Sequence, residues 1–99
     1  MVVGTLTVDL LLGDVHSLKE KRSLVRPIVA ELRRRFEVSA AETGQLELHR
    51  RCELSVAVVA SSHAHVVEVL TNCERLVAAR PEVELLAARQ RVLDDEDLD

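Results

Sequence analysis

Aromatic residues are nearly absent from this 99-residue chain, which has one Phe and no Tyr or Trp. That excludes recognition built on aromatic platforms, such as base stacking or cages for methylated ammonium groups. Two Cys are too few for a disulfide scaffold or a complete cysteine zinc site, and Cys52 and Cys73 lack metal-ligand spacing. The three Gly stand far apart, at Gly4, Gly13 and Gly44, so there is no glycine-rich phosphate loop. No Gly-x-Ser-x-Gly elbow is present. No run approaches the roughly 18 apolar residues of a membrane span. Met1-Val2-Val3-Gly4 has no basic n-region and Asp9 interrupts the apolar stretch, so no targeting segment is expected. The expectation is a cytoplasmic protein with reduced thiols, no cofactor, no metal and no membrane contact.

What is present is ordinary globular composition, 47% apolar and 30% charged, in a length that one core can serve. The 13 Lys+Arg and 17 Asp+Glu give a net charge of -4, unevenly placed. The end Asp94-Asp95-Glu96-Asp97-Leu98-Asp99 holds five acidic residues and reads as a disordered, solvated tail, residues 94–99, after a single domain over 1–93. Between Val15 and Phe36 seven basic residues stand against two acidic ones, a basic segment inside an acidic protein.

Val2 to Leu12 alternates with period two, placing Val2, Gly4, Leu6, Val8, Leu10 and Leu12 on one face of a strand. Ser17-Leu18-Lys19-Glu20 reads as a capping box, with Glu20 reaching back to the Ser17 amide. It opens a helix over about Leu18 to Phe36. Leu18, Val25, Val29, Leu32 and Phe36 form its apolar stripe, Ile28 lies beside it, and Pro27 predicts a kink or a locally opened turn. Glu37 to Ala41 is a short strand, and Glu42-Thr43-Gly44-Gln45 a turn leading towards His49. Arg51 to Ala60 alternates again. Ser61-Ser62 caps a second helix, about His63 to Ala79, burying Val66, Leu70, Cys73 and Val77, and Pro81 stops it. Glu82 to Leu93 is a last strand, with Val83, Leu85 and Ala87 inward.

The order β-α-β-β-α-β predicts an α+β, ferredoxin-like fold, with two helices on one face of a four-stranded antiparallel sheet. The other face would carry Thr5, Thr7, Asp9, Ser55, Ala57, Val59, Leu86 and Ala88. With no helix left to cover it, it could serve as a homodimer interface or stay solvated.

Four cations, Lys19, Arg22, Arg26 and Arg33, lie along one flank of the first helix, where they can follow a nucleic-acid backbone. The helix start adds amides and the positive dipole end. Arg22 lies nearest the core edge, so a partly buried ion pair with Glu42 or Glu53 is an equal reading for it. His63 and His65, two apart at a helix start, point about 200° apart and cannot chelate one ion. His16 and His49 are isolated. No constellation of nucleophile and base appears, so the chain is expected not to be an enzyme.

The run Ser17-Leu18-Lys19-Glu20-Lys21-Arg22, with Val3-Gly4, Arg33-Arg34-Arg35-Phe36-Glu37-Val38-Ser39-Ala40-Ala41-Glu42 and the stretch from Arg50 to Val59, resembles the YlxP-like family of small bacterial proteins of unknown function. The likeness spans about Val2 to Leu93. It implies a ferredoxin-like fold. Genes of that family often sit beside those for translation initiation factor two and ribosome-binding factor A, which implies a role near ribosome assembly or translation. No catalytic residues come with it. Members often have Asn where Glu37 stands, Trp where His49 stands and Gly where Ser55 stands. Together with the basic flank, the resemblance points to a non-enzymatic module contacting ribosomal RNA or a ribosomal protein. The alternative is an interaction protein that dimerises through its open sheet face and binds a protein partner.

Overall fold

The computed structural model describes all 99 residues. In chain order the elements are β1 (Val2–Leu12), α1 (Leu18–Phe36), β2 (Ser39–Gly44), β3 (Arg51–Ala60), α2 (His63–Ala78), β4 (Val83–Leu93) and a single turn, α3 (Asp95–Leu98). The strands form one antiparallel sheet in the order β2-β3-β1-β4. Both long helices pack on one face of it. This is the ferredoxin-like arrangement that the element order predicts.

Strand β1 is central and strictly alternating, and its even-numbered side chains face the helices. With Cys52, Leu54, Val56 and Val58 of β3, the apolar stripe of α2, Val25, Ile28 and Leu32 of α1, and Val15 and Ala40, they make a core of 20 buried residues. Leu6, Val8, Leu32, Val56, Val58, Leu70 and Val77 are all in it, while Phe36 is half-buried at its margin. Gly4 matters to this packing, because a Cβ there would collide with Val66 Cγ1. Its missing side chain lets α2 lie close against β1.

Some expectations need correction. Residues Glu42 to Gly44 belong to β2 rather than to a turn. They pair with β3 across a register shift between Glu42 and Gly44, and that irregularity breaks the sequence pattern. At the start of α1, Ser17 accepts from the Glu20 amide at 3.1 Å as expected, but Glu20 accepts from the His16 amide instead of the Ser17 amide. The acidic end stands exposed, and there Asp94 caps a turn through reciprocal bonds with Asp97.

A further correction concerns β4. A bulge between the pairs Asp9–Ala87 and Leu10–Leu85 adds one residue, Leu86. A one-residue slip exchanges the faces of everything beyond it. Val83 and Leu85 therefore face the helices, but Ala87 pairs with outward-facing Asp9. Ala88 pairs with inward-facing Val8, while Arg89 and Arg91 pair with Thr7 and Thr5 on the open face.

Helix α1 runs unbroken through Pro27, which is exposed, so the carbonyl it leaves unbonded can be met by water. The helix ends at Glu37, whose backbone is left-handed at φ 49° and ψ 50°. Side chains other than Gly and Asn adopt that conformation at a cost of about 1 kcal/mol. Glu37→Gly is therefore expected to stabilise the fold by about 0.5–1 kcal/mol, and Glu37→Asn by less. Denaturant midpoints at constant slope would measure both.

Candidate functional site

The basic residues of α1 divide into three sets. Lys21 is buried, with 2% of its side chain exposed, beside the apolar Val25, Ile28 and Leu32. The four buried residues of α1 centre about 40° from the stripe Leu18, Val25, Val29, Leu32 and Phe36 read from apolar residues alone, and Lys21 lies within that buried set. Its ammonium donates to the Gln45 carbonyl at 2.7 Å. Glu42 Oε2 lies 2.8 Å away as an ion-pair partner, outside hydrogen-bonding geometry. Lys21 thus ties α1 to β2 and to the residue after it, and it takes the carboxylate that sequence reasoning had offered to Arg22. Wheel analysis missed it because a lysine scores as polar. The signal that could have found it is its place four residues before Val25, in line with Ile28 and Leu32.

Arg34 and Arg35 form the second set, at the end of the helix. They lie 3.9 and 3.7 Å from Glu31, whose carboxylate also holds Arg80 at 3.0 Å. Arg35 in addition covers the Phe36 ring, 5.4 Å from its centroid, so the one aromatic side chain is already engaged.

The third set contains the predicted residues. Arg22, Arg26 and Arg33 line one groove of about 500 Å³ between α1 and β2, floored by Val25, Val29, Ala30 and Ala41. All three are exposed and none has an ion-pair partner. Arg33 donates to the Ala40 carbonyl at 2.6 Å, covering the backbone edge of β2. Lys19 is exposed on the first turn and does not line the groove. Glu42 is the acidic residue of the groove wall, and its charge is matched by Lys21.

Cys52 sits beside the Lys21–Glu42 pair. Burial, followed by the nearby Glu42 carboxylate, pushes its thiol up to about 12. Cys73 is pushed up to about 11 by burial. Both stay protonated at neutral pH and act as apolar core residues, not nucleophiles. The histidines do not converge. His16 pairs with Asp14 at 2.7 Å on the surface, and the His65 amide donates to the Ser62 cap. No three His, Cys, Asp or Glu side chains come together in a way that could hold a metal ion. No helix is long and apolar enough to cross a membrane.

The comparisons with known proteins agree on what this chain is related to. A family described as "Protein of unknown function (DUF503)" matches residues 3–90. The chain belongs to this family. It is also 27% identical over 88 residues to "Uncharacterized protein YlxP" of Bacillus subtilis (strain 168), covering 89% of this chain and 96% of that protein. Seen in this DUF503 chain, the Ser-Leu-Lys-x-Lys-Arg run is first of all structural. Ser17 caps α1, and Lys21 fastens it to β2.

Lys21→Ala would leave the Glu42 charge half-buried and unpaired, and is expected to cost about 2–4 kcal/mol, less for Lys21→Met with Glu42→Leu. Urea unfolding of both variants would show the difference. Thiol titration with a disulfide reagent at pH 8 should find neither cysteine reactive in the native protein and both reactive in denaturant. Because folding holds both thiols above their ordinary value of 9.0, their contribution is intact below pH 9. It declines as pH rises towards 11–12, so the thermal midpoint should fall across that window.

Proposed function

We propose that this protein is a non-enzymatic binding module that holds RNA by its phosphate backbone along the exposed flank of α1. The observation that carries the reading is the groove between α1 and β2. Three guanidinium groups share it, no carboxylate neutralises them, and a lysine has been withdrawn into the core to occupy the one acid nearby. Guanidinium groups on a rigid helix offer planar, paired donors to phosphate oxygens. With no free aromatic side chain, such a surface positions a backbone without reading bases, so binding should be weak and little dependent on sequence. The neighbouring genes implied by the YlxP-like resemblance make ribosomal RNA the partner to test first, in the cytoplasm.

The second reading, dimerisation through the open sheet face, needs a dry apolar patch. The large apolar side chains exposed in the sheet are Val59 and Leu86, and they stand at opposite ends of β1, separated by hydroxyls and charges.

Co-sedimentation with purified ribosomal subunits is the test. Contacts from Lys19, Arg22, Arg26 and Arg33 imply a log–log salt slope of about -3, at roughly -0.7 each. Arg22→Glu with Arg26→Glu should lower binding by more than about tenfold and flatten the slope by about 1.4. These two residues are better targets than Arg33, whose removal would also free the Ala40 carbonyl. Association that ignores salt between about 50 and 200 mM would instead favour a protein partner.

A further inference from the structure

The open sheet face carries a second cationic arrangement that exists because of the β4 bulge. Beyond it, Arg89 aligns with Thr7 and Ser55, and Arg91 with Thr5 and Ala57. These rows continue into β2 through Ala41 and Ser39. The result is a hollow of about 440 Å³, with small side chains and hydroxyls between β2 and the two arginines at β4. Three strand spacings make it about 14 Å across, a width suited to one extended strand.

Arg89 borders a second hollow, shared with Asp9 and Glu53, while Arg91 lines only the first. Arg89 and Arg91 are exposed, and neither makes an ion pair or a side-chain hydrogen bond. The acids of the face lie beyond these rows: Asp9 pairs with Glu53 one row further on, and Glu84 aligns with Leu11 past the bulge. Asp9 is held by Arg51 at 2.7 Å, and Glu53 folds over Gly44. Between the arginines and β2, Ser55 links Thr7 and Thr43 through contacts of 3.3 and 2.6 Å. This fixes a row of hydroxyls that can each donate or accept. Guanidinium groups without an ion-pair partner, beside ordered hydroxyls, complement phosphate oxygens and ribose 2′-hydroxyls together.

We propose that Arg89 and Arg91, with the hydroxyls of Thr5, Thr7 and Ser55, bind the sugar–phosphate backbone of single-stranded RNA on the open sheet face. This shares with the α1 reading the premise that the protein binds RNA, but uses separate residues on the opposite face of the sheet. Bases are not stacked here, so sequence changes in the strand matter little.

The test is fluorescence anisotropy of the full chain with a labelled oligouridylate of about twelve nucleotides. Arg89→Glu with Arg91→Glu is expected to weaken binding by about tenfold or more and to flatten the log–log salt slope by about 1.4. Thr5→Ala with Ser55→Ala should weaken it by about threefold and leave that slope unchanged, since no charge is removed. If the charge reversal lowers the thermal midpoint, Arg89→Gln with Arg91→Gln gives the same reading without reversal. Loss in the β4 variant while Arg22→Glu with Arg26→Glu binds normally supports this face and removes the α1 reading. A β4 variant within about twofold of wild type, while the α1 variant loses binding, overturns this proposal and leaves the α1 reading standing. No binding by the wild type overturns both. A wild-type dimer by ultracentrifugation that the β4 variant dissolves, without RNA binding, would make the face an interface between copies.

Discussion

The buried ammonium of Lys21 sets the geometry on which the candidate surfaces of α1 depend. An unpaired charge in that position would be strongly destabilising, so Glu42 and the Gln45 carbonyl must be where they are. They lie on and just after β2, a short edge strand with an irregular register. One polar contact therefore fixes the rotation of α1, the placement of β2 against it and the environment of Cys52. The rotation turns Arg22, Arg26 and Arg33 away from the core, leaving them exposed along a single groove. A helix seated on its purely apolar stripe would have drawn Arg22 towards the carboxylate instead.

The two proposed surfaces answer the absence of aromatic residues in the same way. Without rings there is little to gain from stacking, and any recognition of a polymer has to rest on charge and hydrogen bonding. Such contacts are strong only when their partners are held in place before binding. On the helix side the rigidity comes from α1 itself and from the Arg33 bond to β2. On the sheet side it comes from the hydrogen-bonded hydroxyls of Thr7, Ser55 and Thr43. The acidic balance of the whole chain conceals both, because many of its carboxylates lie in the exposed end and in ion pairs.

Period-two and period-3.6 patterns made most of the fold readable from the residues. The even-numbered side chains of β1 and the stripe Val66, Leu70, Cys73 and Val77 of α2 are buried as those patterns require. The basic flank of α1 was readable too, since helix geometry alone places Arg22, Arg26 and Arg33 together. Reading failed where one residue's behaviour depends on a distant partner. Lys21 can be buried because β2 brings Glu42 to it, and nothing local in the helix announces that. The β4 bulge failed for a different reason. Leu86 sits in an apolar run, Leu85 to Ala88, that alternates equally well in either register. The choice is made by pairing with β1, and with it the positions of Arg89 and Arg91.

The two edges of the sheet meet water differently. The outer side of β2 is screened by α1, and Arg33 occupies the Ala40 carbonyl. The outer side of β4 has no such cover, and eleven residues of extended backbone stand there as a template for pairing with another chain. Charged side chains and a bulge are the devices that keep such an edge from joining another, and β4 has both, in Glu84, Arg89, Arg91 and the irregularity at Leu86. The same arginines therefore guard against aggregation, and a variant that replaced them with apolar residues would leave an open strand ready to stack into fibrils.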